Sequence, residues 1–172
     1  MKQFDIASTR EIEGNTFLIR PLPAFKAANM SGELAALVLP LLGSIAPMFT
    51  GKSVSSDKIA DTFMDIDATE AAPLLANGAA SLSGEKVERL LHKLLTQYGN
   101  ISVEQPDKKS TEVLTDDLAN EIFCGNAQDM FILAFDVIKV NFAGFFKNAG
   151  SLFGDVLSGI MRKNPILENT ES

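Results

Sequence analysis

Two short strings in this chain have the composition of reactive sites. Asp65-Ile66-Asp67-Ala68-Thr69 fits the DxDxT pattern of haloacid-dehalogenase-like phosphotransferases, where one aspartate is the nucleophile and the next a general acid. That chemistry needs the motif at the end of a buried parallel strand, inside alternating strand–helix units. Here Asp57, Asp61 and Asp65 recur at steps of four, which is the wet face of a short helix. Thr50-Gly51-Lys52-Ser53 resembles the end of a phosphate-binding loop, but the pattern requires a glycine five residues before Gly51 and Ala46 stands there. His92, the only histidine, lies beside Leu90, Leu91 and Leu94 at the edge of a predicted helix. It reads as a boundary residue, with no serine or aspartate partner that the sequence can place. Cys124, the only cysteine, sits between Phe123 and Gly125 and is expected to be buried and inert. One histidine and one cysteine do not make a zinc site within a chain, and a lone cysteine makes no internal disulfide. Gly150 and Gly154 have the spacing of a close helix–helix contact, which means little outside an apolar span. The expectation is a protein that is not an enzyme, with no catalytic, cofactor-binding or metal-binding residues.

The charge balance narrows the partners. Twenty-two acidic residues against fifteen basic ones give a net charge of −7. Nucleic acid needs clustered lysine and arginine to displace counterions, so it is not expected as a ligand. Hydrophobic residues at 46% and charged residues at 22% of 172 are globular proportions. Met1-Lys2-Gln3-Phe4-Asp5 lacks the charged and apolar regions of a signal peptide, so a reducing cytoplasm is expected. Leu34 to Gly51 runs eighteen residues without a charge, yet Pro40, Gly43 and Pro47 interrupt it and no aromatic or basic anchors flank it. A buried, kinked helix fits better, and no stable membrane insertion is expected. The alternative is a membrane-active or pore-forming small protein, resting on this stretch and on the apolar segment after Ala127.

The elements that would position any site read as mainly α with a small N-terminal β-hairpin, an α+β arrangement whose helices form a bundle. Ile12, Phe17 and Ile19 are apolar and β-prone about Gly14-Asn15, the expected turn, and Pro21 and Pro23 end the pairing. Residues 1–163 are expected to be one domain, with the hairpin in 1–22, helices in 24–163 and a loop near 105–112. Residues 164–172 are expected to be a flexible tail. Phe25, Met30, Leu34, Leu37 and Leu41 recur at helical spacing, with Pro40 expected to kink or split the run. A loop over 51–57 and a short helix over 57–64 are predicted next, while the alanine-rich 68–82 is ambiguous. The plainest helix carries Val87, Leu90, Leu91, Leu94, Leu95 and Tyr98 on one stripe, with Ser83 as its cap and Gly99-Asn100 as its stop. Ile101 to Glu104 has the composition of a strand returning to the hairpin. Thr115-Asp116-Asp117 opens another helix, with a hydroxyl cap and two carboxylates at the positive end of the helix dipole.

Seven of the twelve phenylalanines lie between Phe123 and Phe153. On a helix from Ala127 to about Ala149, Phe131, Phe135, Ile138, Phe142, Phe145 and Phe146 form one stripe. Met130, Leu133, Val137 and Val140 occupy its neighbour. Asp129, Asp136, Lys139 and Lys147 are left on a narrow strip. A surface helix normally has a wide polar face, so this one needs more cover than a single layer gives. Two readings follow. The helix is the centre of a bundle, or it also offers a groove or self-association face to another chain's amphipathic helix. The candidate partner-binding residues are Met130, Phe131, Phe135, Ile138, Phe142, Phe145 and Phe146.

Two strings carry a family resemblance. Gly14-Asn15-Thr16-Phe17-Leu18-Ile19-Arg20-Pro21-Leu22-Pro23-Ala24-Phe25-Lys26-Ala27, followed by Asn29-Met30-Ser31-Gly32-Glu33-Leu34, resembles the tail assembly chaperones of long-tailed bacteriophages and related prophages. Asn120-Glu121-Ile122-Phe123-Cys124-Gly125-Asn126, leading through Asp129-Met130-Phe131 to Val137-Ile138-Lys139-Val140-Asn141-Phe142, is similar to the same family. The resemblance implies a non-enzymatic role in the host cytoplasm. Such a protein coats the apolar, helical tape measure protein, helps recruit tail tube protein around it, and leaves before the virion is complete. It also admits a homo-oligomer. Replacing Phe135 or Phe142 with aspartate is expected to impair either tail assembly or folding, and circular dichroism separates the two outcomes.

Overall fold

The computed structural model describes the backbone of residues 5–45, 65–80 and 82–163, and the side chains of 5–35, 65–73, 76–77, 79–80 and 82–145. The hairpin forms as expected, one residue out of place. Strand β1 (Ser8–Ile12) pairs antiparallel with β2 (Asn15–Ile19) around Glu13-Gly14, not Gly14-Asn15. Both turn residues have positive φ, +49° and +80°, as a tight hairpin turn requires, and glycine takes the more demanding second position.

The hairpin is half of a larger sheet. Strand β3 (Ile101–Glu104) pairs with β2, and β4 (Thr111–Val113) pairs with β3, giving an antiparallel sheet in the order β1-β2-β3-β4. The loop predicted near 105–112 therefore ends in a strand. Register places Phe17 opposite Val103 and Ile19 opposite Ile101, all buried. Their row is the inner face, because side chains alternate across a strand.

The helices close over that face. Helix α1 (Ala24–Ile45) starts after Pro23, whose carbonyl accepts from the N–H groups of Lys26 and Ala27, and it continues past Pro40. Met30 and Leu34 turn inward, but Phe25 is 92% exposed and does not share their stripe. Nine residues at about 100° each set Phe25 opposite Leu34. Helix α2 (Ala68–Ala79) resolves the ambiguous alanine-rich stretch, laying Ala68, Ala71, Ala72 and Ala79 into the core. Small side chains let it lie close against the last helix. Helix α3 (Gly84–Leu95) buries Leu90, Leu94 and Leu95. Ser83 occupies its cap position without a side-chain cap bond. In α4 (Asp116–Ile122) the cap works as expected, with the Leu118 N–H donating to Thr115 Oγ1 at 3.3 Å. Gly125, with φ +83°, then turns the chain into α5 (Ala127–Lys163). That helix runs well past Ala149, for about 55 Å.

Helix α5 packs on the sheet as well as on α1, α2 and α3, so the architecture is α+β and a bundle is not established. Phe135 is 0% and Phe142 1% exposed, and Phe17 stacks on Phe123 with centroids 5.6 Å apart. Asp136, assigned to the polar strip by its charge, is buried. It accepts two hydrogen bonds from Arg10 of β1, from Nε at 2.5 Å and Nη2 at 2.9 Å. Arg10 stands on the inner face in register with Phe17, which aims its guanidinium at α5, and its Nη1 lies 4.0 Å from Asp67 before α2. The predicted loop over 51–57, the short helix over 57–64 and the tail over 164–172 lie outside the described residues.

The Arg10→Met variant strands an ionised carboxylate in the core and is expected to lose about 3 kcal/mol of stability by urea denaturation. The double variant Arg10→Met, Asp136→Leu is expected to recover most of that loss. With Phe135 and Phe142 both enclosed, their aspartate variants are expected to lose helical circular dichroism, the folding outcome of the two.

Candidate partner-binding groove

The seven candidates divide by accessibility. Phe135, Ile138 and Phe142 are enclosed in the core. Met130, Phe131 and Phe145 are partly exposed and packed against it, and the side chain of Phe146 lies outside those described.

Met130 reaches a feature that the stripe did not announce. An open groove of about 520 Å³ runs between α3 and α4. Val87, Leu91 and Leu95 line its α3 wall, Ala119 lines its α4 wall, and Leu82 and Met130 add apolar surface. The sequence of α3 explains the wall. Its apolar residues span about 140° of circumference. Leu90, Leu94 and Leu95 go fully inward, leaving Val87 and Leu91, spaced by four, half-buried between them. The next row, Glu88 and His92, forms one rim, and Asp116 and Asn120 on α4 form the other.

A polar latch joins the two rims. Asp116 accepts a short hydrogen bond from Thr96 Oγ1, and its Oδ1 is 2.9 Å from His92 Nδ1. The Thr96 hydroxyl and then His92 hold the Asp116 carboxyl below its usual range. His92 Nε2 lies 3.8 Å from Glu88. The threonine hydroxyl thus spends its proton on the carboxylate, and the outer ring nitrogen meets a second carboxylate. Nucleophilic catalysis needs a hydroxyl or thiol on that nitrogen instead. The trio works as a tether between helices.

The other strings of reactive composition also resolve into structure. Asp67 caps α2, its carboxylate accepting from the Thr69 N–H at 2.8 Å and from the Thr69 hydroxyl. Those two bonds, the hydroxyl first, hold the Asp67 carboxyl low. Asp65 is exposed. Cys124 is exposed, contrary to expectation, because in the turn after α4 only Phe123 swings inward. Thr50-Gly51-Lys52-Ser53 falls outside the described residues. Among the described residues no three His, Cys, Asp or Glu side chains could hold a metal ion, and no helix is long and apolar enough to cross a membrane.

A small α+β chain with an apolar, acid-rimmed groove has the features of a module that binds other polypeptides. The family model described as phage tail assembly chaperone protein, TAC, matches residues 13–154, and the chain belongs to that family. The matched span runs from the hairpin turn into α5 and contains the whole groove. No curated protein and no solved structure matches the chain significantly. The family's role is non-enzymatic.

The Thr96→Val variant removes the main hydrogen bond on Asp116. Its carboxyl is expected to titrate at higher pH, read by carboxyl carbon NMR. A depressed carboxyl contributes stability above its unfolded value and loses it as pH falls through the folded value. The variant is therefore expected to be the less stable protein at neutral pH and to converge with the parent in acid.

Proposed function

We propose that this protein keeps apolar helical segments of the tape measure protein soluble in the host cytoplasm and helps bring tail tube protein to them. It departs before the virion is complete. The observation that carries the reading is the family match over residues 13–154. The groove and the half-exposed Met130, Phe131 and Phe145 support it physically. They are flexible or aromatic apolar surface, able to accept many similar helices rather than one fixed sequence. Phe135, Ile138 and Phe142 contribute from beneath, holding α5 in place. The excess of acidic over basic residues suits a protein that must stay dispersed while masking apolar surface.

Co-expression with the tape measure protein tests this directly. The tape measure protein is expected to move from the insoluble to the soluble fraction and to co-purify with the chain. Phe131→Ser is expected to weaken recovery while leaving circular dichroism unchanged. A tape measure protein equally insoluble with and without its companion overturns the proposal.

A further inference from the structure

Resting on that reading, we infer that the α3–α4 groove, alongside the partly exposed Met130 and Phe131 of α5, seats the partner's helix, and that it selects helices whose apolar ridge is flanked by lysine or arginine. Two observations point to a helix. The lining positions run from Gly84 to Leu91, about 10 Å or two turns, before the latch at His92 and Thr96 joins the rims. The walls are helices, whose backbone groups are already paired. An extended segment laid there would bury amides with no partner, whereas a helix brings its own satisfied.

Charge selects which helix. Around α3 the charges are segregated. On the side away from the groove, Lys93 pairs with Glu33 of α1 at 2.6 Å, and Lys86 and Arg89 line a separate pocket with Glu33. On the groove side stands Glu88, faced across the opening by Asp116. The tether to Thr96 and His92 fixes Asp116 at the rim. On the open side of the latch a ridge of leucine or similar residues packs on Val87 and Leu91, and cations flanking it meet Glu88 and Asp116. A second copy of this chain, itself at −7, meets long-range repulsion that a basic helix does not.

The test uses the full chain and two labelled amphipathic peptides with the same leucine ridge, one flanked by lysines and one by glutamates. Fluorescence anisotropy is expected to show the lysine peptide binding about fivefold more tightly at low salt. That gap should close as salt rises. Leu91→Ser is expected to weaken both peptides at least about tenfold. Glu88→Lys with Asn120→Lys, at exposed positions that leave the core untouched, is expected to reverse the preference. Equal binding of the two peptides by the parent overturns the inference, as does binding indifferent to Leu91→Ser. Sedimentation showing two copies joined through the groove, and split by Leu91→Ser, overturns it too. If co-expression solubilises the tape measure protein while the peptides are not discriminated, only the groove assignment falls. If the peptides behave as expected and co-expression fails, only the tape measure reading falls.

Discussion

An ion pair between a half-buried arginine and a buried aspartate joins the parts of this fold. Arg10 reaches from the edge strand of the sheet to Asp136 in the middle of α5, and its remaining nitrogen faces Asp67 at the start of α2. Burying the carboxylate and part of the guanidinium is costly, and the two-pronged geometry recovers the loss only while all the partners stay in place. The pair is thus worth little as net stability and much as registration. It sets which turn of α5 lies over which row of the sheet, and the apolar contacts of Phe17, Phe123 and Phe135 then fit around it. Asn141 repeats the device one turn on, accepting from the Leu22 N–H at 2.6 Å just before α1 begins.

Local chemistry was legible in the sequence, and tertiary partnership was not. The hairpin, the stripe of α3, the Thr115 cap and the strand at Ile101 follow from alternation, helical spacing and hydroxyl capping, each expressed within a few residues. The four-stranded sheet was not legible because β4 is three residues of mixed polarity, too short for a pattern. Asp136 misled because a charge on a helix normally marks the wet side, and its partner lies 126 residues away. Cys124 misled in the opposite sense, an apolar residue between a phenylalanine and a glycine that the turn leaves outside.

The candidate site was half visible. An aromatic-rich helix does hold the chain together, but the rings that gave α5 its prominence, Phe135 and Phe142, serve the interior. The apolar wall of the groove comes largely from α3, a helix that reads as an ordinary amphipathic one. Its apolar band is wide enough that Val87 and Leu91 stay partly open beside the buried Leu90, Leu94 and Leu95, and that width was present in the spacing. The residues facing them on α4 could be named only once the sheet and Gly125 had brought that helix alongside.

The pairing of β2 with β3 carries a consequence for biosynthesis. Thr16 lies opposite Glu104 and Ile19 opposite Ile101, so the first hairpin has nothing to pair with until more than half of the polypeptide has been translated. Closing so long a loop is entropically unfavourable and slow, and the arginine must then wait further for its aspartate. A nascent chain therefore passes through a stage in which Phe17 and Ile19 are made but uncovered. A member of a chaperone family thus has apolar strands of its own that wait for cover while the chain is still on the ribosome.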